Sequence, residues 1–143
     1  GGLILVLPHR DGTFDHRRAV TTMAHLTKDF EEDIGEDDAT HAAEVLELHD
    51  VSQDIGVTDM SAFRERVTRN SEVRGLHHHV FDTRLAVQLV HQAGYDVIAV
   101  EPVRPYHIVV VARKSGTRSP VASISTSALS AVLRKSPFPT DRQ

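Results

Sequence analysis

The sequence predicts an α/β protein, and three observations carry that prediction. A short, continuously apolar run, Leu3-Ile4-Leu5-Val6-Leu7, ends at Pro8; helix-period stripes follow; and a capped helix leads directly into two short apolar runs joined by a proline-bearing turn. Strands that are apolar without alternation fit a sheet covered by helices, whereas half-exposed strands alternate.

Pro8 has no N–H to donate and closes the first strand, and the polar, irregular segment 9–18 reads as a loop leaving its end. Thr21 or Thr22 is placed to cap a helix whose apolar positions Met23, Leu26, Phe30 and Ile34 recur at intervals of three and four, with Gly35 as its stop. Glu31-Glu32-Asp33 lies where the helix dipole is already negative, so the last turn is predicted to fray. Thr40 caps a second helix carrying Ala43, Val45 and Leu46 inward, and Thr58 or Asp59 starts a third bearing Met60, Phe63 and Val67. Residues 52–58 read as a linker and residues 70–75 as a turn or loop.

The strongest signals come next. Asp82 is an N-cap, Leu85, Ala86, Leu89, Val90 and Ala93 make a wide apolar stripe, and Gly94 is the C-cap. Val97-Ile98-Ala99-Val100 and residues 108–112 are the two strands, with Pro102 and Pro105 forcing the turn between them. So short a connection joins antiparallel neighbours, because a parallel return takes roughly a dozen residues or more. Beyond Lys114 the sequence shifts to Ser, Thr and Pro, which predicts a weak helical turn or two over 127–133 within a poorly ordered tail, residues 115–143, that ends extended at Pro137-Phe138-Pro139.

Composition narrows the function classes. A net charge of −4 and a pI near 6.2 provide no positive field for a nucleic-acid backbone, and Arg17-Arg18 and Arg134-Lys135 are too short to make a basic stripe. With no cysteine, disulfides, thiolate metal sites and a cysteine nucleophile are excluded. The longest apolar run is far below the ~20 residues that span a bilayer, and no charged segment precedes it as in a signal peptide. A cytoplasmic protein with neither nucleic-acid nor membrane partners is expected. The abrupt entry from Gly1-Gly2 into a strand suggests a processed or truncated domain.

Three segments resemble one known family. Gly1-Gly2-Leu3-Ile4-Leu5-Val6-Leu7-Pro8-His9 is similar to its Gly-Gly turn and fifth strand. Thr13-Phe14-Asp15-His16-Arg17-Arg18, with Thr21-Thr22 and His25-Leu26, is similar to an insertion after that strand in a bacterial subgroup. His77-His78-His79-Val80-Phe81-Asp82, then Gly94-Tyr95 and the hairpin ending at Arg113-Lys114, is similar to its last helix and strands six and seven. The chain thus resembles, over residues 1–114, the C-terminal half of a class I S-adenosylmethionine-dependent methyltransferase domain. The resemblance implies a partial Rossmann-like methyltransferase sheet in the order five, seven, six, with a C-terminal antiparallel hairpin and a helical segment inserted at about 19–70. It also implies S-adenosyl-L-methionine as cofactor and a small-molecule methyl acceptor. The glycine-rich turn that lets backbone approach such a cofactor has no counterpart in this sequence, nor have strands one to four, so the chain alone is expected neither to bind the cofactor nor to catalyse.

The loop after the first strand collects groups able to do chemistry. His9 is the candidate general base, since imidazole titrates near neutrality, and Asp11, Asp15, His16 and Arg18 join His77 and His79 as substrate-pocket candidates. The structural alternative is that Asp11-Gly12 is a turn and Asp15 an Asx cap. Alternation along an extended segment would let only His77 and His79 of the histidine triplet share an ion, and a zinc site would need further ligands from His9, Asp15 or His49; no metal ligand is assigned. His25, His41, His49 and His91 fall on separate helical positions and read as surface or boundary residues, and Arg104 as an exposed turn residue. Three accounts of function follow: the substrate-side part of a methyltransferase, a non-enzymatic module that self-associates through the exposed strand Leu3-Ile4-Leu5-Val6-Leu7, and a His/Asp metal-dependent hydrolase.

Overall fold

β1 (Gly2–Pro8), β2 (Tyr95–Val103) and β3 (His107–Lys114) form an antiparallel sheet in the order β1-β3-β2 in a computed structural model that describes residues 1–35, 37–116 and 123–143. The described α-helices are α1 (Met23–Glu31), α2 (Ala42–Leu48), α3 (Met60–Thr68), α4 (Asn70–Val73), α5 (Thr83–Gln92) and α6 (Thr126–Lys135). The chain divides into two units, Gly1–Gly12 with Phe81–Gln143, and Thr13–Val80. No described helix is long and apolar enough to cross a membrane.

In the sheet unit, Asp82 caps α5 by accepting from the Leu85 N–H at 2.7 Å, and Gly94 takes the left-handed conformation (φ 82°) that turns the chain into β2. α5 buries Ala86, Val87 and Val90 against Val97 and Val100 of β2 and Ile108, Val110 and Ala112 of β3, with Leu3, Leu5 and Leu7 of β1 packed alongside. Full burial of side chains such as Ile108 and Val110 contributes about 2 kcal/mol each. The opposite face is open at β1, where Ile4 is 73% and Val6 53% exposed. β1 is therefore buried on one face, not on both as its unbroken apolar sequence suggests. Among the described residues it hydrogen-bonds to β3 alone, which leaves it at the sheet edge.

Two further expectations are corrected here. β2 runs through Pro102 to Val103, longer than the predicted strand, because it too is an edge strand and can accommodate a residue without an N–H. Nor is the tail loose and extended over 123–143. The Ile124 N–H donates to the Val97 carbonyl at 2.6 Å along the outer side of β2, Ser125 caps α6, and Leu133, Phe138 and Asp141 are buried. Residues 117–122 lie outside the described part. A groove of about 420 Å³ lies between α6 (Val132, Lys135) and sheet residues Ala99, Glu101, Val109 and Val111.

In the second unit, Val45 of α2 and Phe63 and Val67 of α3 form a small core, joined by Leu46, Val51 and Leu76. Thr22 caps α1 by accepting from the His25 N–H at 3.2 Å, and Asp59 caps α3 by accepting from Ser61 and Ala62. The predicted Thr40 cap is replaced: Thr40 bonds Asp38, and His41 occupies the cap position of α2 without a side-chain bond. α1 stops at Glu31, ahead of Gly35, with Asp33 left-handed (φ 52°). The acidic run that opposes the dipole ends the helix there. α1 has no buried residue, and Phe30, expected to face inward, is 87% exposed. Glu36 of the acidic turn lies outside the described residues.

Candidate functional site

The seven residues that sequence singles out fall into separate hydrogen-bonded groups. In the sheet unit His9 is fully buried and stacked on Phe138 at 4.0 Å. The Asp11 backbone N–H donates to His9 Nδ1 at 3.1 Å, so Nε2 carries the proton and donates to Asp141 Oδ1, also at 3.1 Å. With both ring nitrogens engaged, His9 has no free lone pair for a substrate, which corrects its reading as a pocket-lining general base. Asp11 accepts from the Thr140 N–H at 2.7 Å and hydroxyl at 2.6 Å, so it ties down the C-terminal segment. Asp141 is the hub. It accepts from His9, from the Thr83 N–H and hydroxyl, and from the Ser136 hydroxyl. Burial opposes its ionisation, but these donors, His9 foremost, outweigh burial and hold the carboxyl below its usual range.

In the second unit Asp15 and Arg18 form a buried ion pair at 3.1 Å, and His77 Nδ1 donates to the other Asp15 oxygen at 2.6 Å. Burial works against the Asp15 charge, yet His77 and then Arg18 lower its pKa. Arg18 is 1% exposed, and its guanidinium also donates to Glu44 Oε2 and to the carbonyls of His77 and His78. Its charge is thus committed to joining the 13–18 loop to the histidine triplet. His16 instead donates to Asp50 at 2.9 Å, beside Arg17. His49, stacked on Phe63 with Phe14 tilted against it, has its pKa lowered by burial despite the attraction of Asp54.

The three consecutive histidines diverge. His77 goes to Asp15, His78 Nε2 lies 3.0 Å from the Asn70 amide nitrogen, and His79 Nε2 donates to Asp29 Oδ2 at 2.8 Å. His77 and His79 therefore do not form the pair that alternation suggests. The partners of His79 are residues read from sequence as ordinary helix positions. His25 Nε2 lies 3.2 Å from Asp29 Oδ2 and 3.0 Å from His41 Nε2, and the ligand atoms of His25, Asp29, His41 and His79 all lie within 4.8 Å of one another. The hydrogen bond from His79 is the main cause that lowers the Asp29 pKa, followed by opposing burial and then the charges of His25 and His79. His25 and Asp29 share a face of α1 because they stand one turn apart. His41 enters from the cap of α2, and His79 from the segment ahead of Val80, whose N–H is held by the Thr21 hydroxyl at 2.9 Å.

Beside this group a cavity of about 290 Å³ is lined by Arg18, Ala19, Thr21, Thr22, His25, His41 and Glu44. Its size is near the lower end for small-molecule sites, roughly 300 Å³. Of the residues sequence proposed for a pocket, Arg18 alone lines it, and Thr21, Thr22, His25, His41 and Glu44 are additions. The His25–Asp29 spacing is the one feature of the cluster visible in sequence, because the approach of His41 and His79 depends on the tertiary fold. Comparison with protein families, curated proteins and solved structures finds no match to this chain.

Proposed function

We propose that this chain is the substrate-side part of an S-adenosylmethionine-dependent methyltransferase. The supporting observation is the sheet order β1-β3-β2, with β3 antiparallel to both neighbours and β2 entered from the capped helix α5 through Gly94. That is the order expected of strands five, seven and six in the family the sequence resembles. The segment Thr13–Val80 then stands as the insertion after strand five, and its cavity beside Thr21, Thr22 and Glu44 is where a small methyl acceptor is held. Methyl transfer depends on holding the acceptor in line with the sulfonium, so positioning is the main contribution of this part. His9 serves as a fixed internal tie in this scheme.

The sequence has no glycine-rich turn for the cofactor. Calorimetric titration of this chain with S-adenosylmethionine is accordingly expected to give no measurable heat of binding. The sequence encoded upstream of Gly1 is expected to contain a strand, a glycine-rich turn and a helix, and adding it is expected to restore binding. Tight binding to the present chain, or an upstream sequence lacking those elements, would overturn the proposal.

A second role rests on a different observation, the open edge of β1 with exposed Ile4 and Val6. Unpaired backbone groups beside apolar side chains favour pairing with another strand, and the occupant proposed is β1 of a second copy of this chain. Gel filtration is expected to show a concentration-dependent dimer that Val6→Lys converts to monomer. A monomer at every concentration would remove this role.

A further inference from the structure

We infer that His25, Asp29, His41 and His79 form a zinc site that anchors helix α1. This goes beyond the methyltransferase proposal and does not depend on it.

Geometry is the first support. A zinc ion held by imidazole nitrogens and a carboxylate oxygen at roughly 2.0–2.1 Å in a tetrahedron needs ligand atoms ~3.3 Å apart. Three of the separations here are 2.8, 3.0 and 3.2 Å, and none among the four ligand atoms exceeds 4.8 Å. The ligands are the right kind, because three imidazoles and one carboxylate suit a borderline divalent transition ion, whereas magnesium and calcium prefer all-oxygen sets. Four protein ligands close the coordination sphere. That is the pattern of a structural ion, while hydrolytic sites keep a position for water.

The surroundings are the second support. Metal-bound histidines commonly present their outer nitrogen to a carboxylate, which orients the ring. His41 has a carboxylate near that position, with Nδ1 at an ion-pair distance of 3.6 Å from Glu44 Oε2, and Glu44 is held in turn by Arg18. His25 and His41 bring two ring nitrogens to 3.0 Å, a contact in which one must donate unless both lone pairs address a common ion.

The third support is what α1 lacks. Its nine residues include none that is buried, and Phe30 faces solvent. A helix this short is marginal without tertiary packing. An ion bound to His25 and Asp29 on α1, His41 at the start of α2 and His79 downstream of α4 supplies the cross-link that apolar packing does not.

The test uses the whole chain, purified without immobilised nickel and stripped with chelator. Calorimetry with zinc chloride is expected to give one ion per chain, with magnesium chloride giving none. Cobalt should develop the visible absorption of a tetrahedral ion. Asp29→Ala and His79→Gln should abolish stoichiometric binding, Glu44→Gln should weaken it roughly tenfold, and His91→Gln, on the exposed side of α5, should leave it unchanged. Because a ligand variant can also unfold the unit, hydrogen exchange is followed on the unmodified chain, where zinc should slow exchange of the α1 amides. Absence of stoichiometric zinc binding, or binding retained by both ligand variants, would overturn the inference. So would zinc binding that leaves exchange in α1 unaltered.

Discussion

Asp141 shows how much one carboxylate organises in the sheet unit. Its Oδ1 takes the Thr83 N–H, an orphan donor at the start of α5, while Ser136 and the Thr83 hydroxyl converge on Oδ2 and His9 completes the set. A negative charge at a helix N-terminus is favoured by the dipole as well as by these bonds. Asp141→Asn removes the charge and turns one acceptor into a donor facing donors, so it should cost about 3 kcal/mol in urea unfolding at neutral pH. The folded carboxyl titrates below its ordinary value near 3.8. The unfolded chain therefore binds the proton first as pH falls. The stabilisation is complete above that value and is lost as pH drops through the folded pKa. Unfolding curves between neutral pH and pH values below 3.8 should thus lose less stability in Asp141→Asn than in the parent; equal slopes would contradict the role given to Asp141. None of this is visible in sequence, where Asp141 sits in a polar tail. Its burial depends on a loop 132 residues earlier.

At the scale of elements, local signals succeed where one segment decides the outcome. The Asp82 cap, the α5 stripe, the Gly94 stop and the antiparallel hairpin all follow from nearest-neighbour chemistry, and each is present. Elements whose limits depend on remote neighbours differ. Pro102 stays within β2 because nothing in the sheet requires its N–H, and β1 is exposed on one face because no described helix covers Ile4. α1 has the spacing of a packed helix but only half-buries Met23 and Leu26 and exposes Phe30. One of its faces carries His25 and Asp29, the two residues it contributes to the proposed zinc site. The turn after β1 offers a direct test. A Cβ on Gly12 would lie 2.2 Å from the Pro105 carbonyl oxygen and 2.8 Å from the Tyr106 Cα, both backbone atoms that cannot rotate away. Gly12→Ala should cost about 2 kcal/mol, in the range of overpacked cores, and lower the melting temperature. An unchanged melting temperature would mean that the turn and the hairpin tip are not in close contact.

For the whole molecule, the order of elements was legible but their assembly was not. The mixed α/β class and the antiparallel pairing of β2 with β3 agree with what sequence suggested, whereas the engagement of the proposed site residues by partners distant in sequence was not legible there. Histidine was the hardest residue to read: His9, His49 and the triplet differ in role because of neighbours distant in sequence. The tie between His9 and Asp141 also sets a schedule for synthesis. Residues 13–80 form one contiguous unit, but β1 needs β3, and His9 needs a partner 132 positions later. At roughly 5–20 residues per second, the first strand waits on the order of ten seconds with its backbone unpaired and Leu3, Leu5 and Leu7 uncovered. During that interval the nascent chain presents an apolar strand that a chaperone, or the same strand on a neighbouring ribosome, can engage.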